Sequence, residues 1–200
     1  MNNLKATTED VLNDTRRWLE RAVIGLNLCP FAKAVHVKGQ IYYTVSAAMD
    51  SRELLADLKH ELDALLDLDP TLRDTTLLIA PYTLNDFLDF NDFLSQAERV
   101  LVKLGLEGIV QIASFHPDFQ FAGTEPQDIG NFTNRSPYPM LHLLREDSID
   151  RAVAAYPRAE LIFQKNIETL EKLGHAGWSE LGVGPNKDTD QTDAHGKIRP

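Results

Sequence analysis

His116 stands before a proline in "FHPDFQFAG" (Phe115 to Gly123), where aromatic and polar side chains alternate. Extended at period two, this stretch puts Phe115, Phe119 and Phe121 on one face and His116, Asp118 and Gln120 on the other. An imidazole beside a carboxylate suits general acid–base work, because an ordinary histidine titrates at about 6.5 and exists in both forms around neutrality. The same alternation equally describes a half-buried edge strand with a solvated polar face.

Downstream, "GNFTNRSPYPMLHLLRE" holds a second constellation. Pro137 or Pro139 suits the first position of a helix, where a missing N–H costs nothing. Free N–H groups at that helix start, with Arg135 and Ser136 beside them, would receive a carboxylate or phosphate, and Asn131 and Asn134 add amide donors. The plainer account pairs Arg135 with one of the many acidic side chains and leaves the asparagines to satisfy a turn. Cys29 is the single cysteine and precedes Pro30. If Pro30 opens a short helix, Cys29 is its N-cap and thiolate is favoured; otherwise the thiol is a small hydrophobe in packing. His142, on the helix expected after the loop, is placed to face inward toward Cys29 and His116. The expected catalytic residues are therefore Cys29, His116 and Asp118, and the expected ligand-binding residues are Asn131, Asn134, Arg135, Ser136 and His142. Cys29, His116 and His142 lack the close paired spacing that marks metal motifs, so no metal and no cofactor is expected.

These residues must be positioned by regular elements. Leu12, Leu19, Val23 and Leu26 recur at helical spacing, with Thr7 and Asp10 as a capping pair before them. "QIYYTVS" (Gln40 to Ser46) is β-branched and aromatic and predicts a strand, and "KAVHVKG" before it leaves room for a hairpin strand. Asp50 to Leu66 predicts a helix with Leu54, Leu58, Leu62 and Leu65 on one face. "TTLLIAP" (Thr75 to Pro81) predicts a strand covered on both faces. Thr83 and Asp86 suggest a capping pair for a helix to about Leu104, stopped by Gly105, and "EGIVQIASF" predicts the third strand. Helices are expected from Pro139 to Arg145, Ser148 to Tyr156 and Arg158 to Leu173, the last closed by Gly174. The alternation of strand and helix implies parallel crossovers. The expected fold is α/β: a small, mostly parallel sheet of three to five strands covered by helices, with extra C-terminal helices. Residues 1–182 are expected to form one domain and residues 183–200 a disordered polar tail, in which His195 is no ligand.

The stretch from His116 to Pro139 has no helical period, and connections of that length in compact domains usually serve a function. The 200 residues carry a net charge of -10 and a 43% apolar content. That is ample for a core and argues against partners that present phosphate backbones or anionic membranes. No stretch approaches the length of a spanning helix, and "MNNLKATTEDV" lacks the apolar core of a secretory signal, so a soluble cytoplasmic protein is expected. There is no internal repeat, no GxGxxG after a strand and no phosphate-binding GxxxxGK[ST] loop.

Taken together, "LNLCPFAK", "ASFHPDFQFAG" and "NFTNRSPYPMLHLLRE" resemble the motifs of a bacterial family known as domain of unknown function 1415, from about Thr15 to Leu173. The resemblance implies that Cys29, His116, Pro117, Arg135 and His142 lie in the stretches that mark the family, and it implies no activity. From the residues themselves, the expected function is an enzyme acting on a small anionic metabolite in a Cys/His/Arg cleft. The alternative is a non-catalytic module that binds a ligand or a protein. Neither substrate nor oligomeric state follows from the sequence.

Overall fold

The computed structural model describes residues 6–156 and 158–185. The tail beyond, with His195, lies outside the described residues. The chain opens with α1 (Thr8–Trp18), where the Thr7 hydroxyl accepts the Asp10 N–H and the Asp10 carboxylate accepts the Thr7 N–H, at 3.2 and 3.0 Å. A π-helical stretch, Leu19–Ile24, continues it. Then come α2 (Ala32–Val37), β1 (Ile41–Val45), α3 (Ser51–Asp67), β2 (Thr75–Ile79), α4 (Phe87–Leu104) and β3 (Val110–Phe115). A long loop with one 3-10 turn (Ile129–Thr133) leads to β4 (Met140–Arg145), followed by α5 (Glu146–Ala155) and α6 (Ile162–Glu180).

The four strands form one sheet in the order β1-β2-β4-β3. Only β1 and β2 pair in parallel; β4 lies between β2 and β3 and is antiparallel to both. The mostly parallel sheet expected from the sequence is therefore corrected to a mostly antiparallel one. The crossovers through α3 and α4 do leave β1, β2 and β3 pointing the same way, but β4 takes the gap between β2 and β3. The expected helix at Pro139 to Arg145 is this strand. A short apolar run such as "MLHLL" fits strand or helix equally by its period, and Pro139 is as well suited to the residue before a strand as to a helix start.

Four smaller differences remain. "KAVHVKG" contributes α2 rather than a hairpin strand. Asp86 caps α4 alone, accepting from the N–H groups of Leu88 and Asp89 at 2.8 and 3.1 Å. Gly174 does break the last helix, with φ 64, yet helical structure resumes to Glu180. Val183, expected at the head of a polar tail, is buried against α1 and its surroundings.

Pairing register sorts the strand residues onto two faces. Leu78, Leu141, Leu143 and Ile112 face α3 and α4, where Leu54, Leu58, Phe90 and Phe93 complete a dense core. The other face carries three rows across the sheet: Ile41, Thr75, Leu144 and Gln111; then Tyr43, Leu77, His142 and Ala113; then Val45, Ile79, Met140 and Phe115. Trp18, Leu19, Ala22 and Val23 pack on this face, over Leu77, Ile79 and Met140. Neither α2 nor α5 has a fully buried residue. The cover over this second face is therefore thinner than the one opposite.

Leu143, fully buried on the central strand, sets the cost of disturbing the sheet. Leu143→Ala is expected to lower unfolding free energy by about 2–5 kcal/mol in urea titrations, whereas Leu88→Ala, at a position 72% exposed, changes it by less than about 0.5 kcal/mol.

Candidate functional site

Where the cover is thin, a cavity of about 310 Å³ opens between the second face of the sheet and the segments α1, α2 and α5. Its walls are mainly apolar: Trp18, Val23, Phe31 and Ile149 from the cover, Leu77 and Phe115 from the sheet. Cys29 and His142 lie in the same wall, and Gln111, Asp74, Arg145 and Ser148 gather around the row that holds Thr75. The Ser148 hydroxyl donates to Asp74 at 2.6 Å. Arg145 donates to the carbonyls of Leu65 and Leu68.

The protonation pattern of His142 follows from its neighbours. The Thr75 hydroxyl lies 2.7 Å from the Leu143 carbonyl, which accepts only, so the hydroxyl's single proton goes there. The same hydroxyl oxygen lies 2.6 Å from His142 Nε2. Nε2 must therefore donate, which leaves the lone pair on Nδ1. Among the described residues nothing bonds Nδ1. Burial holds the His142 pKa down at about 4, so the ring is neutral at pH 7.

Cys29 lies in the bend before α2, whose N-cap is Phe31 rather than Cys29. Backbone N–H groups of Phe31 and Ala32 reach the thiol, but burial outweighs them and raises its pKa. Cys29 and His142 are thus a neutral thiol and a neutral imidazole, not the thiolate–imidazolium pair of an activated nucleophile.

The loop from His116 to Pro139 is organised otherwise. The strand stops at Phe115 and the chain turns at once, with the Phe119 N–H donating to the His116 carbonyl at 3.1 Å. The expected extension to Phe121 is corrected accordingly. His116 is fully buried between Phe87 and Phe90, on the α4 side of the sheet and away from His142. Its Nδ1 accepts the Asp118 N–H at 3.0 Å, so Nε2 donates to the Leu84 carbonyl at 3.0 Å. Burial lowers its pKa, against the Leu84 carbonyl and the carboxylates of Asp118 and Asp86.

Arg135 donates to the carbonyls of Phe119 and Pro126 at 3.4 and 2.5 Å and stacks over Phe132. Burial lowers its pKa, with Asp118 opposing the shift. Asn131 is fully buried; its amide donates to the Glu125 carbonyl and accepts from Phe121 N–H and the Thr124 hydroxyl. Asn134 donates to the Ser114 carbonyl and Ser136 to the Tyr138 carbonyl. Because Pro139 leads into a strand, the helix start that was expected to hold an anion is not formed there. The loop polar groups staple backbone to backbone, and among the expected site residues only Cys29 and His142 line the cavity. No grouping of three or more His, Cys, Asp or Glu suited to a metal occurs among the described residues.

Sequence reasoning passed over Gln111, although period two in "GIVQIASF" sets that amide on one face with Ala113 and Phe115. An amide in an otherwise apolar row was the available signal. Asp74, Arg145 and Ser148 carried no such mark, because they reach the cavity only through the position of β4 and α5.

A family model described as protein of unknown function (DUF1415) matches residues 10–180. The chain belongs to this family. No curated protein and no solved structure matches it. The DUF1415 match spans both walls of the cavity, from α1 to α6, and no helix among the described residues is long and apolar enough to cross a membrane.

Two measurements address the cavity wall. An unfolded chain has an ordinary histidine near about 6.5, whereas folded His142 titrates at about 4. Acidification therefore protonates the unfolded state first, and stability that is complete above about 6.5 drains away toward about 4. Wild-type protein is expected to lose on the order of 3 kcal/mol more than His142→Gln between pH 7 and pH 4, read from urea midpoints. For Cys29, the rate of iodoacetamide alkylation should rise with pH through a midpoint above the about 8.5 of a free thiol; a midpoint below it would contradict the buried neutral thiol.

Proposed function

We propose that this protein binds a small, largely apolar molecule in the cavity between the sheet and α1, α2 and α5. The observation that carries this is the composition of the wall: a concave apolar surface with a few polar groups gathered on one side, the usual make-up of a small-molecule site. The helices α2 and α5, which bury no residue fully, leave room that a ligand would fill. An apolar occupant would gain about 25 cal/mol for each Å² it removes from water.

Catalysis on a small anionic metabolite has less to support it. Cys29, His116 and Arg135 do not converge: the first lines the cavity, while His116 is tied to the Leu84 carbonyl before α4 and Arg135 to the loop carbonyls of Phe119 and Pro126. The neutral thiol also lacks the activation that a nucleophile requires. Binding without turnover is the function the geometry favours.

The test uses 1-aminoanthracene, an apolar dye that brightens when it leaves water. Wild-type protein should enhance its fluorescence saturably with a 1:1 stoichiometry, and Ala113→Trp, which places an indole in the cavity from β3, should weaken the dye at least tenfold while retaining a cooperative thermal transition. Equal affinity in the two folded proteins would place the dye elsewhere and remove the cavity as the binding site.

A further inference from the structure

We infer that the cavity selects a neutral molecule bearing a hydrogen-bond donor, such as a hydroxyl or amide N–H, and that His142 Nδ1 is the acceptor that selects it. This rests on the binding function proposed above and specifies its ligand class. The chain of constraint is short. Leu143 carbonyl fixes the Thr75 proton, Thr75 oxygen fixes the His142 proton on Nε2, and Nδ1 is left with a lone pair and no protein donor among the described residues. His142 lies in the middle row of the sheet face that forms the cavity floor, beside Leu77 and Ala113. An acceptor in an apolar wall favours a ligand donor, because a donor-free ligand leaves the lone pair unmatched out of water.

The same geometry disfavours an anion at this position. A carboxylate brings only acceptors to meet the Nδ1 lone pair. Protonating the ring to accommodate it would require charging a desolvated imidazole, whose pKa is held at about 4. The cation in the cavity wall, Arg145, donates through one terminal nitrogen to the carbonyls of Leu65 and Leu68 while its Nε has no partner among the described residues, and the carboxylate of Asp74 in the same wall opposes a second negative charge there. This ligand class differs from the small anionic partner expected from the sequence.

The experiment compares three probes of one ring system by calorimetry at pH 7 on the full chain: 2-naphthol, which donates; 2-methoxynaphthalene, which does not; and 2-naphthoate, an anion. The naphthol is expected to bind about fivefold to tenfold more tightly than the ether, the fold-change of one net hydrogen bond, and more tightly still than the naphthoate. His142→Phe should bring naphthol and ether within about twofold of each other. Independently of any variant, nitrogen NMR of the wild-type ring should show the Nε2–H tautomer, with the Nδ1 resonance moving on addition of naphthol and not of the ether. Equal binding of naphthol and ether, or an Nδ1–H tautomer, overturns the inference. Tightest binding by the naphthoate overturns it too and makes Arg145 the anchor. If 1-aminoanthracene and the ether both bind the wild type and the naphthol binds no more tightly than the ether, the donor rule falls while the cavity stands. If the dye also fails to bind, the binding function itself falls.

Discussion

A strand in the middle of a sheet has to satisfy both its edges and both its faces, and Met140–Arg145 meets that demand between β2 and β3. Leu141 and Leu143 go to the α3 and α4 core, while Met140, His142 and Leu144 go to the opposite face. Much else follows from this insertion. β2, with a neighbour on each side, is buried at every position. The long loop between the end of β3 and the adjacent start of β4 is held both by polar staples and by the rings of Phe119, Phe121 and Phe132 packed on Phe87, Phe163 and Trp178. The insertion also carries a histidine into an apolar wall, where it cannot stay charged.

His116 and His142 show how a buried histidine is assigned a task by its partners. Both are neutral and both donate through Nε2, one to a carbonyl and the other to a hydroxyl that is itself committed to a carbonyl. The difference is at Nδ1. In His116 it receives the Asp118 N–H, so the ring has no capacity left and closes a turn. In His142 it receives nothing from the described residues, so the ring keeps an acceptor for something that enters the cavity. His116 is fully buried and His142 is partly exposed in the cavity wall, and completing the hydrogen-bond count separates their roles.

The longer helices, three of the four strands and the cap at Thr7 were legible because each announces itself locally, by apolar period or by a side chain that replaces a missing backbone partner. The direction of β1, β2 and β3 was legible too, since a helix between strands forces a crossover. What could not be seen was that a fourth strand would occupy the gap, because strand pairing is a long-range property and "MLHLL" carries no mark of its neighbours. That single omission propagated into the site. With Pro139 opening a helix, Arg135 and the asparagines became an anion receptor; with Pro139 opening a strand, they became loop staples. His142 survived as a site candidate for a different reason: expected to face inward from a helix, it reaches the cavity because period two sets it on the strand face opposite Leu141 and Leu143.

The uneven covering of the sheet connects fold to function. The α3 and α4 face is closed by long helices that bring Leu54, Leu58, Leu62, Phe90 and Phe93 into full burial. Over the other face, a six-residue α2 and a helix α5 without a buried position span what the α1 segment does not reach. A sheet face needs apolar contact along its whole length, and where the protein supplies too little, either water or a ligand must do so. Water is a poor occupant of a wall built from Trp18, Val23, Leu77 and Phe115, because it finds few partners there. An apolar molecule with one donor answers both requirements, filling the space against the rings and meeting the lone pair at Nδ1. On this view the thin cover is the entrance, and the neutral thiol of Cys29 is a soft part of the wall rather than an attacking group.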